Sequence, residues 1–267
     1  MAKCYLLVDL KMQILLTIVN WIRDPSSQMR FASYRKRQIF RVLQNFIFCR
    51  SEIAKRKSAL DLIFSDPICK IDEATGYNMV DGEELQDLVS EAIKEVKSLL
   101  STVNVSEMMR GKKYLISVLP NDGLGHESRI LKLATTPSIV KTVGAYLGCL
   151  PVLTYVNVWY SRPTGEASQA EGSQMWHLDH EDLRQMKVFI YCDDVDERCG
   201  PLKVVSAKAS LNYVNSLNYR TVSETKRLSD DAISAAEHIT LTGKQGSLAF
   251  VDTSRCFHLG SREMNKP

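Results

Sequence analysis

The stretch Trp176-His177-Leu178-Asp179-His180 decides how the fold of this chain is interpreted, because a histidine and a carboxylate stand two residues apart. On a β-strand, side chains two positions apart point to the same face. His177 and Asp179 can therefore bind one metal ion together, while Leu178 and His180 point away from it. A site of this kind needs a third ligand from another part of the chain.

His258 is the best candidate for that third ligand. It follows residues 246–257, in which a glycine opens an apolar strand that ends in a short polar turn. Two imidazoles and one carboxylate on one face of an iron ion leave the opposite positions open for substrate and dioxygen, as in non-haem Fe(II) oxygenases. The pattern predicts a catalytic metal site formed by His177, Asp179 and His258.

The remaining histidines are weaker candidates. His180 could pair with His177 in a helical zinc motif, but no third ligand at the spacing of a zinc site follows. His126 lies in a turn-like stretch, and we interpret it and His238 as non-ligands, with a substrate role still open for His126.

The second half of the chain predicts short β-strands. Glycine and proline separate apolar runs in a way that is typical of a sandwich or jelly roll rather than of an α/β fold. The predicted strands are residues 113–118, 153–160, 187–192, 202–205, 239–241 and 247–251.

The first half is mostly helical. In residues 82–103, apolar side chains recur every three or four positions with Glu and Lys between them, which predicts an amphipathic helix that lies on a sheet. A second helix is predicted over residues 137–147, because Thr136 is a suitable N-cap, Pro137 suits the first turn and Gly148 is a plausible end.

These elements predict one domain, residues 1–267, of mixed α and β structure with a mainly β core. Residues 1–150 form a mostly helical support region, and residues 151–262 form the metal-binding core. The long polar insertion 206–237 is expected to be a lid or a substrate wall, with Trp159 and Trp176 as further walls.

The charge composition excludes few classes of protein, and it gives no indication of a polyanionic partner. With 34 basic and 31 acidic residues, the net charge is only +3, so nucleic-acid binding is not expected. Residues 30–57 are nevertheless strongly basic. We interpret them as a solvated helix face, with a phosphate-bearing or nucleic-acid partner as the alternative.

The cysteines and the apolar run near the start indicate a reducing, cytoplasmic setting. Seven scattered cysteines without a Cys-x-x-Cys pair fit neither a disulfide scaffold nor a zinc ribbon. The apolar run at residues 12–22 is about half the length that spans a bilayer, so no membrane segment is expected.

The order of these features resembles the phytanoyl-CoA dioxygenase-like branch of the Fe(II)/2-oxoglutarate-dependent oxygenases. The resemblance rests on His-x-Asp, an apolar strand, the turn Cys199-Gly200-Pro201, a long excursion, a glycine-opened strand and a histidine, over about residues 150–262. It implies a double-stranded β-helix, a cupin-like jelly roll with N-terminal helical decoration. It also implies an Fe(II) dioxygenase that uses O2 and 2-oxoglutarate to hydroxylate or otherwise oxidise a small molecule and releases succinate and CO2.

The resemblance further implies a cation that binds the distal carboxylate of 2-oxoglutarate. In the family, an arginine about ten residues after the last histidine has this role, and here Pro267 is nine after His258. Arg262 is favoured because a guanidinium forks a carboxylate, Lys187 is second, and a further C-terminal strand is the alternative source. Tyr155 and Asn157 could add hydrogen bonds to the cosubstrate.

Other functions stay open from the sequence. The chain could be an oxygenase that acts on a nucleic acid or a protein, or a catalytically silent cupin-like binding module. A zinc-dependent cupin hydrolase is a more distant alternative. The substrate and the oligomeric state are not predicted.

Overall fold

A computed structural model describes residues 34–102, 115–120, 123–161, 170, 172–217, 219 and 227–261. The helices are α1 (Tyr34–Gln44), α2 (Arg50–Asp61), α3 (Gln86–Thr102), α4 (Arg129–Ala134), α5 (Pro137–Leu147) and α6 (Ala207–Ser216). The strands are β1 (Tyr77–Val80), β2 (Leu115–Ser117), β3 (Trp159–Ser161), β4 (Met186–Ile190), β5 (Leu202–Val205), β6 (His238–Leu241), β7 (Leu248–Asp252) and β8 (His258–Gly260).

The strands form three antiparallel sheets, in the orders β1-β7-β4, β2-β3 and β6-β5-β8. Together with the helices they confirm a mixed α and β fold, although the described strands do not close a barrel. Strand β7 is central and buried along its whole length. Its alternate residues pack into two hydrophobic clusters on opposite faces, which explains its unbroken apolar sequence.

Helix α3 lies on this sheet, as its periodicity predicts. Val89 and Ile93 share a hydrophobic cluster with Leu248 and Phe250 of β7. The predicted start at residue 82 is a short 3-10 turn, Glu83–Leu85, and the α-helix begins at Gln86. Helix α3 therefore covers one face of the sheet whose central strand, β7, precedes His258 in the chain.

Helix α5 has the predicted bounds, and Gly148 ends it in the left-handed conformation with φ of 75°. Thr136 takes the N-cap position, but its side chain makes no capping hydrogen bond. Its hydroxyl donates instead to the carbonyl of Lys132 at 2.9 Å. The helix start is thus marked by Pro137 rather than by the threonine hydroxyl.

The strand predicted over residues 153–160 is wrong for most of its length. Only Trp159–Ser161 is a strand, paired with Leu115–Ser117, and residues 151–158 belong to no strand. Apolar residues there suggested a strand, but backbone groups form one only where a neighbour pairs with them. Strand β1 was missed, because its pairing with β7 is a long-range contact that four residues of sequence do not reveal.

The first part of the predicted insertion 206–237 is not a lid, because it forms helix α6, which packs against the core. Ala207, Ser210 and Val214 are buried, and the Ser210 hydroxyl accepts a hydrogen bond from the Phe257 N–H at 2.8 Å. Ser206 caps the helix by accepting from Ala209 N at 3.2 Å. Residues 218 and 220–226 lie outside the described part of the chain.

Trp176 is also part of the core. Its exposed fraction is 0%, and it packs in a cluster with Leu178, Phe257 and Leu259. The prediction that it lines a substrate wall is therefore wrong, because a fully buried indole has no surface for a ligand. Trp159 is 47% exposed.

From residue 34 onwards the basic segment lies in α1, α2 and the short helical stretch between them, and most of its charged residues are exposed, as expected. The apolar residues between them are exposed too, for example Ile39 at 63% and Phe46 at 65%. Cys49, Cys69, Cys149, Cys192, Cys199 and Cys256 are free thiols. Among the described residues, no helix is long and apolar enough to cross a membrane, and the run at residues 12–22 lies outside them.

Candidate metal centre

His177 and His258 face each other across an antiparallel strand pair. The N–H of each donates to the carbonyl of the other, both at 3.1 Å. Residues that exchange both hydrogen bonds are directly opposite, so their side chains share one face. The two imidazole centroids are accordingly 4.2 Å apart.

Asp179 joins this pair because it lies two residues beyond His177. Its N–H donates to the carbonyl of Thr253 at 2.8 Å, which holds the segment against the turn that precedes β8. Asp179 Oδ2 lies 3.8 Å from His258 Nε2. The ligand atoms of His177, Asp179 and His258 all lie within 4.8 Å of one another, so the group could hold a metal ion.

Both imidazoles are oriented by backbone carbonyls. His177 Nδ1 lies 2.8 Å from the carbonyl of Met175, and His258 Nδ1 lies 3.0 Å from that of Cys256. A carbonyl only accepts, so each Nδ1 carries the proton and each Nε2 keeps its lone pair. This arrangement leaves both Nε2 atoms ready to bind a cation, with the ring orientation already set.

Burial keeps the two imidazoles neutral. His177 is 8% and His258 4% exposed, and burial lowers the pKa of both below the usual histidine value. Burial alone would raise the pKa of the Asp179 carboxyl, but His258, Lys187 and Thr253 outweigh it and hold that pKa well below its usual range. At neutral pH the group is two neutral imidazoles and one carboxylate, the protonation state that metal binding requires.

Lys187 lies in β4 and forms an ion pair with the triad. Its Nζ is 2.6 Å from Asp179 Oδ2 and 5.9 Å from the ring centroid of Tyr155. Burial would lower the pKa of Lys187, but the attraction of Asp179 raises it. The ammonium is thus paired with a carboxylate of the candidate metal site, and a contact of Lys187 with a cosubstrate stays a prediction.

The other predicted cosubstrate residues are less enclosed. Tyr155 is 45% exposed, and its hydroxyl accepts a hydrogen bond from Gln185 Nε2 at 3.2 Å. Asn157 is exposed on the same segment. Arg262 lies outside the described residues.

The remaining described histidines do not join the group. His180 is exposed, as its alternation with Asp179 predicts. His126 is also exposed, and its Nε2 lies 3.6 Å from Glu127 Oε1. The His238 ring packs against Trp176 with centroids 5.1 Å apart.

Sequence reasoning missed the residues that fix the turn before His258. The buried Asp252 carboxylate accepts hydrogen bonds from Ser254 Oγ at 2.6 Å and from the Tyr146 hydroxyl at 2.8 Å. Arg255 Nη1 donates to the same Tyr146 hydroxyl at 2.9 Å. A polar turn was visible in the sequence, but Tyr146 is 106 residues from Asp252, so no local signal joins them.

Comparisons with known proteins do not assign this chain to a family. No family model matches the chain, and no curated protein matches it in sequence. Among solved structures, the chain is similar to the crystal structure of AviO1 from Streptomyces viridochromogenes Tue57, with 15% identity and a TM-score of 0.43, over 79% of this chain and 90% of that chain.

Proposed function

We propose that this protein is an Fe(II)- and 2-oxoglutarate-dependent dioxygenase that hydroxylates or otherwise oxidises a small organic molecule, with release of succinate and CO2. The observation that carries the proposal is the placement of His177, Asp179 and His258 on one face of a strand pair, with both Nε2 atoms unprotonated. The chemical logic of this donor set, together with the order of sequence motifs, supports iron.

The donor set favours an open metal site over a closed one. Structural zinc is usually held by four protein ligands, whereas this group has three among the described residues. Two imidazoles and one carboxylate leave coordination positions for a chelating 2-oxo acid and for dioxygen. If the fold is a double-stranded β-helix, as we propose, the sheets β1-β7-β4 and β6-β5-β8 would form the two walls around this site.

When bound, the iron supplies activation of dioxygen coupled to oxidative decarboxylation of 2-oxoglutarate. The residues of this chain position the reactants. The carbonyls of Met175 and Cys256 hold the two rings in orientation, and burial of His177 and His258 keeps bulk water from that side of the site. Lys187 neutralises Asp179 until a metal ion arrives.

The contacts to 2-oxoglutarate belong to this proposal as well. Lys187 and Tyr155 lie next to Asp179 and are suitable neighbours for a bound acid. Arg262 and Asn157 are the further candidates from the sequence. With the weak net charge, a small molecule is a better substrate than a nucleic acid.

Metal content and 2-oxoglutarate turnover test this function. The protein is loaded anaerobically with Fe(II), desalted and analysed for iron, and succinate formation is then measured with 2-oxoglutarate and O2. We expect one iron per chain and succinate production in the wild type, and loss of both in Asp179→Ala. His180→Ala is the matched control, because it removes a neighbouring exposed imidazole and should change neither result. Stoichiometric iron in Asp179→Ala would sink the assignment.

A further inference from the structure

Arg227 is placed beside the metal centre by a second strand pairing. Trp176 and Leu228 exchange both backbone hydrogen bonds, each at 3.0 Å, on the side of this segment away from His258. In that antiparallel register the next pair along is His177 and Arg227. Directly opposite residues share a face, so the Arg227 side chain leaves the backbone on the face that carries the triad.

The alternation of neighbouring side chains agrees with this register. Trp176, Leu228 and Leu259 pack together in one hydrophobic cluster on the opposite face. Each of these residues is adjacent in sequence to one of the metal-facing side chains, namely His177, Arg227 and His258. One face of the three segments is therefore apolar core, and the other presents two imidazoles and a guanidinium.

One nitrogen of the Arg227 guanidinium has no hydrogen-bond partner in the part of the chain that the structure describes. The side chain as a whole is half-buried, and the unpaired atom is its buried Nη1. Buried polar groups without partners are rare in native proteins, and each needs an explanation. Burial is the main cause that lowers the pKa of His177 and His258, and the positive charge of Arg227 contributes to both shifts, as expected for a cation close to them.

The charged side chains around the site carry more positive than negative charge, so an anion could bind there. The one carboxylate of the triad, Asp179, is already paired with Lys187 at 2.6 Å. Arg227 adds a second cation, and a divalent metal would increase the excess of positive charge further. A buried guanidinium nitrogen without an acceptor is unfavourable, so an anionic ligand that accepts a hydrogen bond from Arg227 Nη1 would stabilise this arrangement.

We propose that Arg227 binds a carboxylate group of a small molecule that lies beside the His177, Asp179 and His258 triad. A carboxylate fits because the planar guanidinium donates two parallel hydrogen bonds to its two oxygens. The carboxylate belongs either to 2-oxoglutarate or to an acidic primary substrate. The inference rests on the proposed function in one respect only, namely that the bound small molecule lies next to a metal ion.

Binding measurements on Arg227→Gln test the proposal. The protein is loaded with Zn(II) in place of iron, so that no turnover occurs, and titrated calorimetrically with 2-oxoglutarate, with 2-oxobutyrate and with octanoate added after 2-oxoglutarate. We expect at least a tenfold loss of affinity for one of these acids in Arg227→Gln and a smaller loss in Arg227→Lys. Arg198→Gln is the control, because it removes the same charge from an exposed arginine paired with Asp196.

The pattern of losses identifies the source of the carboxylate. Weaker binding of 2-oxoglutarate but not of 2-oxobutyrate, which lacks the second carboxylate, assigns Arg227 to the cosubstrate. Weaker binding of octanoate alone assigns it to an acidic substrate. Affinities within twofold of wild type for all three acids in Arg227→Gln would overturn the proposal.

A separate measurement keeps this result independent of the oxygenase assignment. Succinate binding to metal-free protein is followed by thermal shift in the wild type, Asp179→Ala and Arg227→Gln. We expect stabilisation that survives in Asp179→Ala, where the metal site is lost, and disappears in Arg227→Gln. An equal shift in all three would count against Arg227, whereas a wild type that binds succinate but no metal would count against the proposed function alone.

Discussion

At the scale of single residues, the ion pair of Lys187 with Asp179 has the clearest energetic role. Asp179 has 11% of its side chain exposed and Lys187 29%, so the pair is largely but not completely removed from water. Breaking a buried pair costs about 3–5 kcal/mol, and an exposed pair contributes about 0–1 kcal/mol. This pair should lie between these limits.

We therefore expect Lys187→Met to destabilise the metal-free protein by roughly 1–3 kcal/mol, because Asp179 would keep a buried charge without its partner. A divalent metal should restore much of the loss by taking the place of the ammonium. Urea unfolding with and without Zn(II) measures both effects. Lys244→Met is the control, since it breaks an exposed pair with Asp194, and an equal loss in both variants would contradict the expectation.

At the scale of elements, the turn before helix α3 is packed against the turn before β7. Gly82 has φ of 78°, and a Cβ there would lie 2.3 Å from the Gly246 carbonyl oxygen and 2.6 Å from Leu248 Cδ1. Only a glycine satisfies both the backbone conformation and the close approach. This contact fixes where α3 meets the central sheet.

A non-glycine residue in the left-handed conformation costs about 1 kcal/mol by itself. Gly82→Ala should destabilise the protein by more than this, because the backbone of Gly246 must also move to make room for the new Cβ. Gly123→Ala separates the two causes. Gly123 has φ of 79°, but a Cβ there would meet nothing within 4 Å. Thermal unfolding of both variants measures the difference, and equal losses would show that the contact with Gly246 is unimportant.

Helix α6 supports the strand that carries His258. Ser210 is completely buried, and its hydroxyl accepts from the N–H of Phe257, the residue before that ligand. Ser210→Ala should cost about 1–3 kcal/mol by leaving this N–H unpaired, and it should weaken Zn(II) binding because His258 is less firmly held.

Ser216→Ala is the matched control at an exposed position on the same helix, and it should alter neither quantity. Chemical denaturation and Zn(II) titration test both variants. Unchanged stability in Ser210→Ala would mean that the helix does not hold His258 in place. Hydrogen exchange should likewise be slow in α6, which distinguishes it from the lid that its polar sequence suggested.

At the scale of the whole molecule, the candidate metal site joins segments that are distant in sequence. A ligand that binds only the folded state stabilises it by about 2.7 kcal/mol at a concentration of 100 times its dissociation constant. We expect a divalent metal to raise the unfolding temperature of the wild type and a chelator to reverse this. Differential scanning calorimetry of Asp179→Ala should show no metal-dependent shift, and a persistent shift would indicate a second site.

Local patterns in the sequence determined several parts of this structure. The two-residue period of a strand predicted that His177 and Asp179 share a face, and Pro137 and Gly148 marked helix α5 at both ends. The strand Leu202–Val205 was also predicted with its bounds. These features depend on neighbours in sequence, so propensity, periodicity and end residues suffice to find them.

Only the tertiary structure decided what these elements meet. His177 pairs with His258 on one side, and Trp176 pairs with Leu228 on the other, which brings the segment that carries Arg227 next to that of His177. The Lys187 ammonium and the link from Tyr146 to Asp252 likewise depend on strand register and helix packing. Such contacts join segments far apart in the chain, and the free energy that selects them comes from burial and pairing of the whole fold, which no short stretch of sequence contains.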